Sequence, residues 1–186
     1  MSKEENKLIN LCKHGVKPAQ EQLYAKYKTH WFTICLRYLN NREDALDVLQ
    51  NALIKIYTKL DQFDSSLGHF KSWSSRIVVN ESIMFQRKYW NKNQVSDFNP
   101  EVIDVEEPSK AISNLTMQEL TEVIQDLPAG YKLVFNLYAI DGYSHKEIAK
   151  KLSISEGTSK SQLFKAKSIL KKKLAGRMTE GLKMTF

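Results

Sequence analysis

Apolar residues recur at helical spacing along the first half of the chain. Their three- and four-residue intervals mark four blocks, which lie at residues 8–12, 23–39, 46–60 and 70–84. This period of about 3.6 residues is typical of amphipathic helices. No stretch alternates long enough for a sheet, and only three glycines or prolines occur in residues 1–92. The pattern therefore predicts about four helices.

Two segments interrupt this pattern. DQFDSSLGHF, at 61–70, clusters Asp, Ser and Gly and predicts a loop. Residues 93–110 carry two prolines and five acids, which indicates a linker. Helical spacing then returns, and a short apolar helix is predicted over 131–140. We predict an all-α protein with two small helical domains at 1–92 and 113–176, an acidic linker at 93–112, and a tail at 177–186.

The second half contains the pattern of a helix-turn-helix. Ser144 and Glu147 form an S-x-x-E capping box, which starts one short helix. Ser153 and Ile154 then form a tight turn, and Ser155 is a suitable N-cap for the next helix. Two short helices joined by about four residues are the arrangement of many DNA-binding domains.

The second helix of this pair has one apolar stripe and one distinct outer face. At 100° per residue, Phe164 lies about 100° from the stripe. The face contains Lys160, Ser161, Phe164 and Lys165; the stripe contains Leu163, Ala166, Leu170 and Leu174. Lysines suit phosphates, Ser161 or Gln162 can meet base edges, and an apolar side chain can touch a thymine methyl. A solvated basic helix with Phe164 packed on a neighbour is the alternative.

Two residues depart from the usual helix-turn-helix pattern. Ser153 occupies a turn position where glycine is common. Ser159 occupies a helix position where a buried aliphatic side chain is common. Both departures weaken the motif when it is considered alone, and the second raises the question of what holds that helix in place.

Charge is distributed in three blocks. Residues 1–92 hold 15 Lys and Arg against 9 Asp and Glu, residues 93–127 hold 1 against 8, and residues 128–186 hold 12 against 4. Basic blocks favour a polyanion partner, although solubility alone also explains them. The two cysteines lack metal-ligand spacing, so we expect reduced thiols, no metal and no cofactor. No apolar signal segment or membrane span is evident, and we expect a cytoplasmic protein.

Two separated segments resemble the extracytoplasmic-function sigma factors, a branch of the sigma-70 family. The segment at 42–88 resembles their region 2, with D-A-x-D-x-x-Q, L-D-x-F and F-x-x-W-x-x-R-I-x-x-N. The segment at 127–174 resembles their region 4, with L-P and G-Y-S-x-x-E-I-A-x-x-L-x-I-S-x-G-T-x-K-S-x-L-x-x-A. The two segments together, in this order and with a linker between them, are far more specific than either one.

The resemblance implies a sigma factor that binds RNA polymerase core and directs promoter-specific initiation of transcription. Region 2 would bind polymerase and melt the −10 element, and region 4 would bind the −35 element. The polymerase-facing residues would be Asp44, Asp47 and Gln50. The −10 residues would be Ser65, Ser66, Gly68, His69, Lys71, Arg76, Asn80, Arg87 and Lys88. The −35 residues would be Lys160, Ser161, Gln162, Phe164 and Lys165.

The resemblance also implies that an anti-sigma factor can hold such a protein inactive, although no residue here indicates one. Leu46 and Asn51 stand where acids are usual in the family. Asp44 and Asp47 are also explained by the helix dipole alone, and Trp73 fits a core position better than a base-stacking one.

Two other functions remain as alternatives at this stage. One is a helix-turn-helix regulator with an unrelated helical sensor domain, which would not need the 42–88 pattern. The other is a nucleic-acid enzyme, which would need clustered carboxylates for metal ions. The acids of this chain are scattered and no glycine-rich phosphate loop occurs, so we expect no enzyme.

Overall fold

A computed structural model describes residues 2–93 and 117–183, with side chains at 2–88 and 121–174. It confirms the all-α fold, and no strand occurs in these residues. The chain divides into two compact units, Met1–Tyr89 and Trp90–Phe186. Most of the predicted linker lies outside the described residues, and the exact domain boundaries stay a prediction.

The first unit contains the four helices that the apolar blocks predict. They are α1 (Lys3–Lys13), α2 (Lys17–Tyr38), α3 (Arg42–Thr58) and α4 (Phe70–Asn93). A 3₁₀ turn, Leu60–Gln62, and an exposed loop connect α3 to α4. Asn41 begins α3, because its side-chain oxygen accepts the backbone N–H of Asp44.

An aromatic cluster forms the centre of this unit. Phe70, the first residue of α4, is fully buried and lies 5.3 Å from Tyr27, 5.4 Å from Phe63 and 5.7 Å from Trp73, measured between ring centroids. Trp31 stacks on Tyr27 at 5.4 Å. Trp73 is therefore part of the packing, as the core interpretation predicts. Buried aromatic rings contribute large apolar area, so this cluster anchors the start of α4 and the loop before it.

Side-chain bonds connect the helices around the cluster. The Trp31 indole N–H donates to Ser74 Oγ at 3.0 Å, which ties α2 to α4. Lys55 pairs with Glu81 at 2.6 Å between α3 and α4. The thiols of Cys12 and Cys35 are buried and unpaired by a disulfide, as the sequence predicts.

The described residues of the second unit, 117–183 together with the end of α4, add four further helices and one unpredicted feature. The helices are α5 (Met117–Gln125), α6 (Ala129–Phe135), α7 (His145–Leu152) and α8 (Glu156–Lys183). Both α6 and α7 pack on α8. The sequence predicts one apolar helix over 131–140, but α6 ends at Phe135 and continues as a π-helical turn, Asn136–Ile140. The backbone of α8 continues past residue 176, where a tail was predicted to begin.

Candidate functional site

The helix-turn-helix forms from the local signals that the sequence contains. The Ser144 side chain and Glu147 make the reciprocal capping box that starts α7. Ser153 ends α7 in the left-handed conformation, with φ 57° and ψ 45°, where glycine would be unstrained. The Thr158 N–H donates to Ser155 Oγ at 2.9 Å, so Ser155 caps α8 as predicted.

Four residues make up an accessible patch at the start of α8, which we call the reading face. Lys160 is exposed, and the other three are half-buried: Ser161, Phe164 and Lys165. The Ser161 hydroxyl donates to the Thr158 carbonyl at 3.0 Å. Its oxygen keeps its acceptor lone pairs, which suit the amino groups of adenine or cytosine in the major groove.

The structure does not bring Gln162 to the reading face. Its side chain is only 7% exposed, and its Oε1 is a buried atom without a hydrogen-bond partner. On the helix, Gln162 lies about 40° from Ala166, at the edge of the apolar stripe. The helical position therefore explains the burial, and the prediction that Gln162 meets base edges is not supported by its placement.

Ser159 is held by a residue that the sequence did not single out. It is fully buried, and its Oγ lies 2.9 Å from Nδ1 of His145, the first residue of α7. The His145 ring stacks on Tyr138 with 4.4 Å between ring centroids. Burial first, and then the charge of Lys160, lower the pKa of His145, while Glu156 raises it. A hydrogen bond thus stands where an aliphatic contact is usual.

The outer face of α3 holds the expected polymerase-facing residues. Asp47 and Gln50 are exposed. Asp44 is half-buried, and its carboxylate accepts the side-chain amide of Asn41 at 2.7 Å, so it also serves the helix N-terminus. Ile54 lies between Asp47 and Gln50 around the helix axis. Its side chain is 63% exposed, and the sequence analysis did not identify it. Its helical register with Asp47 and Gln50 was the signal that could have identified it.

The loop before α4 presents the expected −10 residues to solvent. Ser65, Ser66, Gly68 and His69 are all exposed. The Asp64 carboxylate accepts the Ser66 N–H at 2.8 Å, which shapes the turn. Leu67 is 87% exposed at the centre of this loop and was not predicted as a site residue. Its only sequence signal is an apolar residue inside a polar loop.

Basic and polar residues follow one side of α4. Arg76, Asn80 and Arg87 are exposed and lie within about 40° of each other around the helix. Lys88 is about 120° from Arg76, and Lys71 about 140°. The structure therefore brings three of the five predicted α4 residues onto one face, with Lys71 close to the loop instead.

A lysine of the second unit is buried against expectation. Lys132 of α6 is 1% exposed, and burial lowers its pKa to about 8, while the charge of Asp126 acts in the opposite direction. The Asp126 carboxylate also pairs with Lys173 at 2.8 Å. Periodicity alone treats lysine as a surface residue, so the sequence analysis gave no indication of this site.

Two further features are absent from the described part of the chain. No helix there is both long enough and apolar enough to span a bilayer. No group of three or more His, Cys, Asp or Glu residues there is arranged to hold a metal ion.

The comparisons with known proteins agree with both segments. Residues 23–92 match the model of Sigma-70 region 2, and residues 117–170 match the model of Sigma-70, region 4. The chain is 30% identical over 179 residues to the ECF RNA polymerase sigma factor SigW of Bacillus subtilis, covering 90% of this chain and 95% of that protein. It is 28% identical over 178 residues to the ECF RNA polymerase sigma-E factor of Escherichia coli K12, covering 90% and 92%.

The fold is also similar to that of a solved protein. The sigma factor RpoE of Bartonella quintana, in complex with the anti-sigma factor NepR, matches with a TM-score of 0.50 and 23% identity, covering 84% of this chain and 96% of that one. This likeness concerns the fold, and the two region models and the SigW relative assign the family. The chain belongs to the extracytoplasmic-function sigma factors of the sigma-70 family.

Proposed function

We propose that this sigma factor divides initiation between its two units. The first unit binds RNA polymerase core through the outer face of α3 and binds the −10 element through the loop before α4 and the face of Arg76, Asn80 and Arg87. The second unit binds the −35 element through the reading face of α8. The protein works where RNA polymerase works, in the cytoplasm, and performs no chemistry of its own.

The observation that carries the proposal is the reading face at the start of α8. It follows a capped helix and a tight turn, and it combines a lysine for phosphate with Ser161 and Phe164 for base edges. A one-domain regulator would also need such a face. It would not need the region 2 match at 23–92, so the sigma factor is favoured.

The loop before α4 presents groups that suit strand capture. Enzymes and factors that extrude a base read its edge with polar groups, and the exposed serines and His69 offer such groups beside Leu67. Exposed arginines on one side of α4 suit the phosphates of a separated strand. These features support strand capture by the first unit.

Reconstitution with RNA polymerase core tests the proposal. The full chain, added to core enzyme and genomic DNA, should give transcripts with discrete starts, which sequencing of the 5′ ends would map. A shared sequence should lie near −35 and another near −10 upstream of those starts. Transcription that is no more selective than with core enzyme alone would contradict the proposal. The RpoE–NepR structure suggests an addition to this experiment: proteins that co-purify with the chain are added to the transcription reaction. One that suppresses the mapped transcripts would be an anti-sigma factor.

A further inference from the structure

The bond between His145 and Ser159 lies directly beneath the reading face. It joins the first residue of α7 to the first turn of α8, with 2.9 Å between Nδ1 and Oγ. Lys160 and Ser161 are the next two residues of α8. An apolar contact at this position would fix only the depth of packing, whereas a hydrogen bond also fixes distance and direction. The orientation of the reading face therefore depends on this pair.

The π-helical turn adds a third member. Such turns are rare and are concentrated at functional sites. Here the turn, Asn136–Ile140, is closed by bonds from the Asp141 N–H to Asn136 O at 2.9 Å and from the Tyr143 N–H to Leu137 O at 2.8 Å. The turn carries Tyr138, whose ring lies nearly parallel to that of His145, at 22°. Stacking on this ring limits the rotation of the imidazole.

The Ser159 hydroxyl is costly to leave without its hydrogen-bond partner. Ser159 is fully buried, and a buried hydroxyl without a partner is destabilising. Burial lowers the pKa of His145, which favours the neutral ring, and a neutral imidazole nitrogen can accept a hydrogen bond from the Ser159 hydroxyl. The packing of α8 on α7 is thus specified by a hydrogen-bonded polar pair, and a substitution of either residue alone disturbs this packing.

We infer that His145 and Ser159 are positioning residues for recognition of the −35 element, with Tyr138 holding the His145 ring. They set the orientation in which the reading face of α8 meets the base edges and themselves touch no base. The inference rests on the proposed function, because it concerns how the second unit selects its DNA sequence.

The test is a double-mutant cycle on the full chain. Fluorescence anisotropy would measure binding to a duplex that carries the mapped −35 element and to a scrambled duplex of the same composition. The selectivity ratio is the affinity for the first divided by that for the second. We expect His145→Ala and Ser159→Ala each to lower this ratio by about fivefold to tenfold, and the double variant to lower it no further than either single change.

Two variants separate positioning from simple stability. His145→Asn places an amide near the position of Nδ1 and should retain most of the selectivity. Ser159→Val in the His145→Ala background restores an aliphatic contact and should recover part of the ratio. If His145→Ala does not fold, as judged by circular dichroism, His145→Asn and the single variant Ser159→Ala decide the question.

The chain offers a matched control. His30 and Ser75 form a bond of 2.8 Å between α2 and α4 of the first unit. His30→Ala removes the same kind of pair and should leave the selectivity ratio unchanged.

Additive losses, an unchanged ratio, or equal losses on both duplexes with a lower melting temperature would overturn the inference while leaving the proposed function intact. A wild-type chain without selectivity for the mapped element would overturn both.

Discussion

The two units bury different side chains beneath their functional faces. In residues 2–88, the loop and the start of α4 rest on an aromatic cluster, and two of the three buried polar residues are small serines. In residues 121–174, a lysine and an asparagine are buried before α8, and a serine and a glutamine are buried on α8 itself. Apolar packing is strong and non-directional, whereas buried polar groups fix directions and are costly when a partner changes. The stability of the first unit should therefore depend mainly on side-chain volume, and that of the second mainly on the matching of buried polar groups.

The largest expected effect comes from Phe70→Ala. The phenylalanine is fully buried against four other aromatic rings. Its removal leaves a cavity, and we expect the free energy of unfolding to fall by about 3–5 kcal/mol. Hydrogen–deuterium exchange should accelerate in peptides from 2–88 and stay unchanged in peptides from 121–174. Leu67→Ala, at an 87% exposed position, is the control and should change stability by less than about 0.5 kcal/mol. Equal effects of both changes would contradict the aromatic cluster as the anchor.

A smaller effect should follow the titration of Lys132. Its pKa is about 8 in the folded protein, below the ordinary value of 10.5. Between these values the unfolded chain binds more protons than the folded chain, so the contribution of Lys132 to stability rises as pH increases through this window. The full difference is on the order of 3 kcal/mol. Lys132→Met should stabilise the protein at pH 7 and remove this rise.

Urea denaturation of wild type and Lys132→Met from pH 7 to 9.5 would measure how the free energy of unfolding changes with pH in each chain. Burial raises the pKa of both thiols of the first unit, that of Cys35 to about 12, and this makes stability fall as pH rises above their ordinary value. The difference between wild type and variant isolates Lys132, because both chains contain the thiols. A difference that does not shrink with increasing pH would contradict a destabilising buried ammonium group.

The same contrast explains which features could be predicted from sequence. The caps at Ser144 and Ser155 are bonds to residues three positions away, so a local pattern contains all of the information. Ser159 could be identified as unusual, but its partner lies fourteen residues away and depends on how α7 meets α8. The burial of Lys132 depends on how α6 packs on α8, and the π-helical turn contacts α7; helical periodicity encodes neither arrangement.

The site residues divide in the same way. Exposed positions such as Asp47 and Arg76 follow from the helical register. Gln162 lies at the margin of the apolar stripe, where the register alone does not decide between solvent and core. The exposure of Leu67 and Ile54 was missed because periodicity assigns apolar residues to the core.

A change on α3 should separate the two units by partner. Asp47→Ala removes an exposed carboxylate without disturbing the core, so stability should stay within about 0.5 kcal/mol. We expect affinity for RNA polymerase core to fall several-fold, by about 1 kcal/mol, because one charged contact is lost. Binding to the −35 duplex should not change. Asp61→Ala, an exposed acid on the 3₁₀ turn, is the charge-matched control. If the two variants weakened polymerase binding equally, general charge rather than the α3 face would be responsible.

The smallest expected effect tests whether the reading face selects bases or only holds phosphates. Ser161→Ala removes an acceptor oxygen and should lower selectivity for the −35 duplex by about 1 kcal/mol, with little change on scrambled DNA. Lys165→Ala should weaken both duplexes alike and reduce the slope of log affinity against log salt by about 1. Lys172→Ala, an exposed lysine two turns further along nearly the same side of α8, should have the smaller salt effect. Anisotropy titrations between 50 and 200 mM salt, roughly the range over which counterion release is measurable, separate these outcomes. Because the Ser161 hydroxyl also donates to the Thr158 carbonyl within α8, equal losses on both duplexes for Ser161→Ala would mean that the oxygen supports the helix and does not select bases.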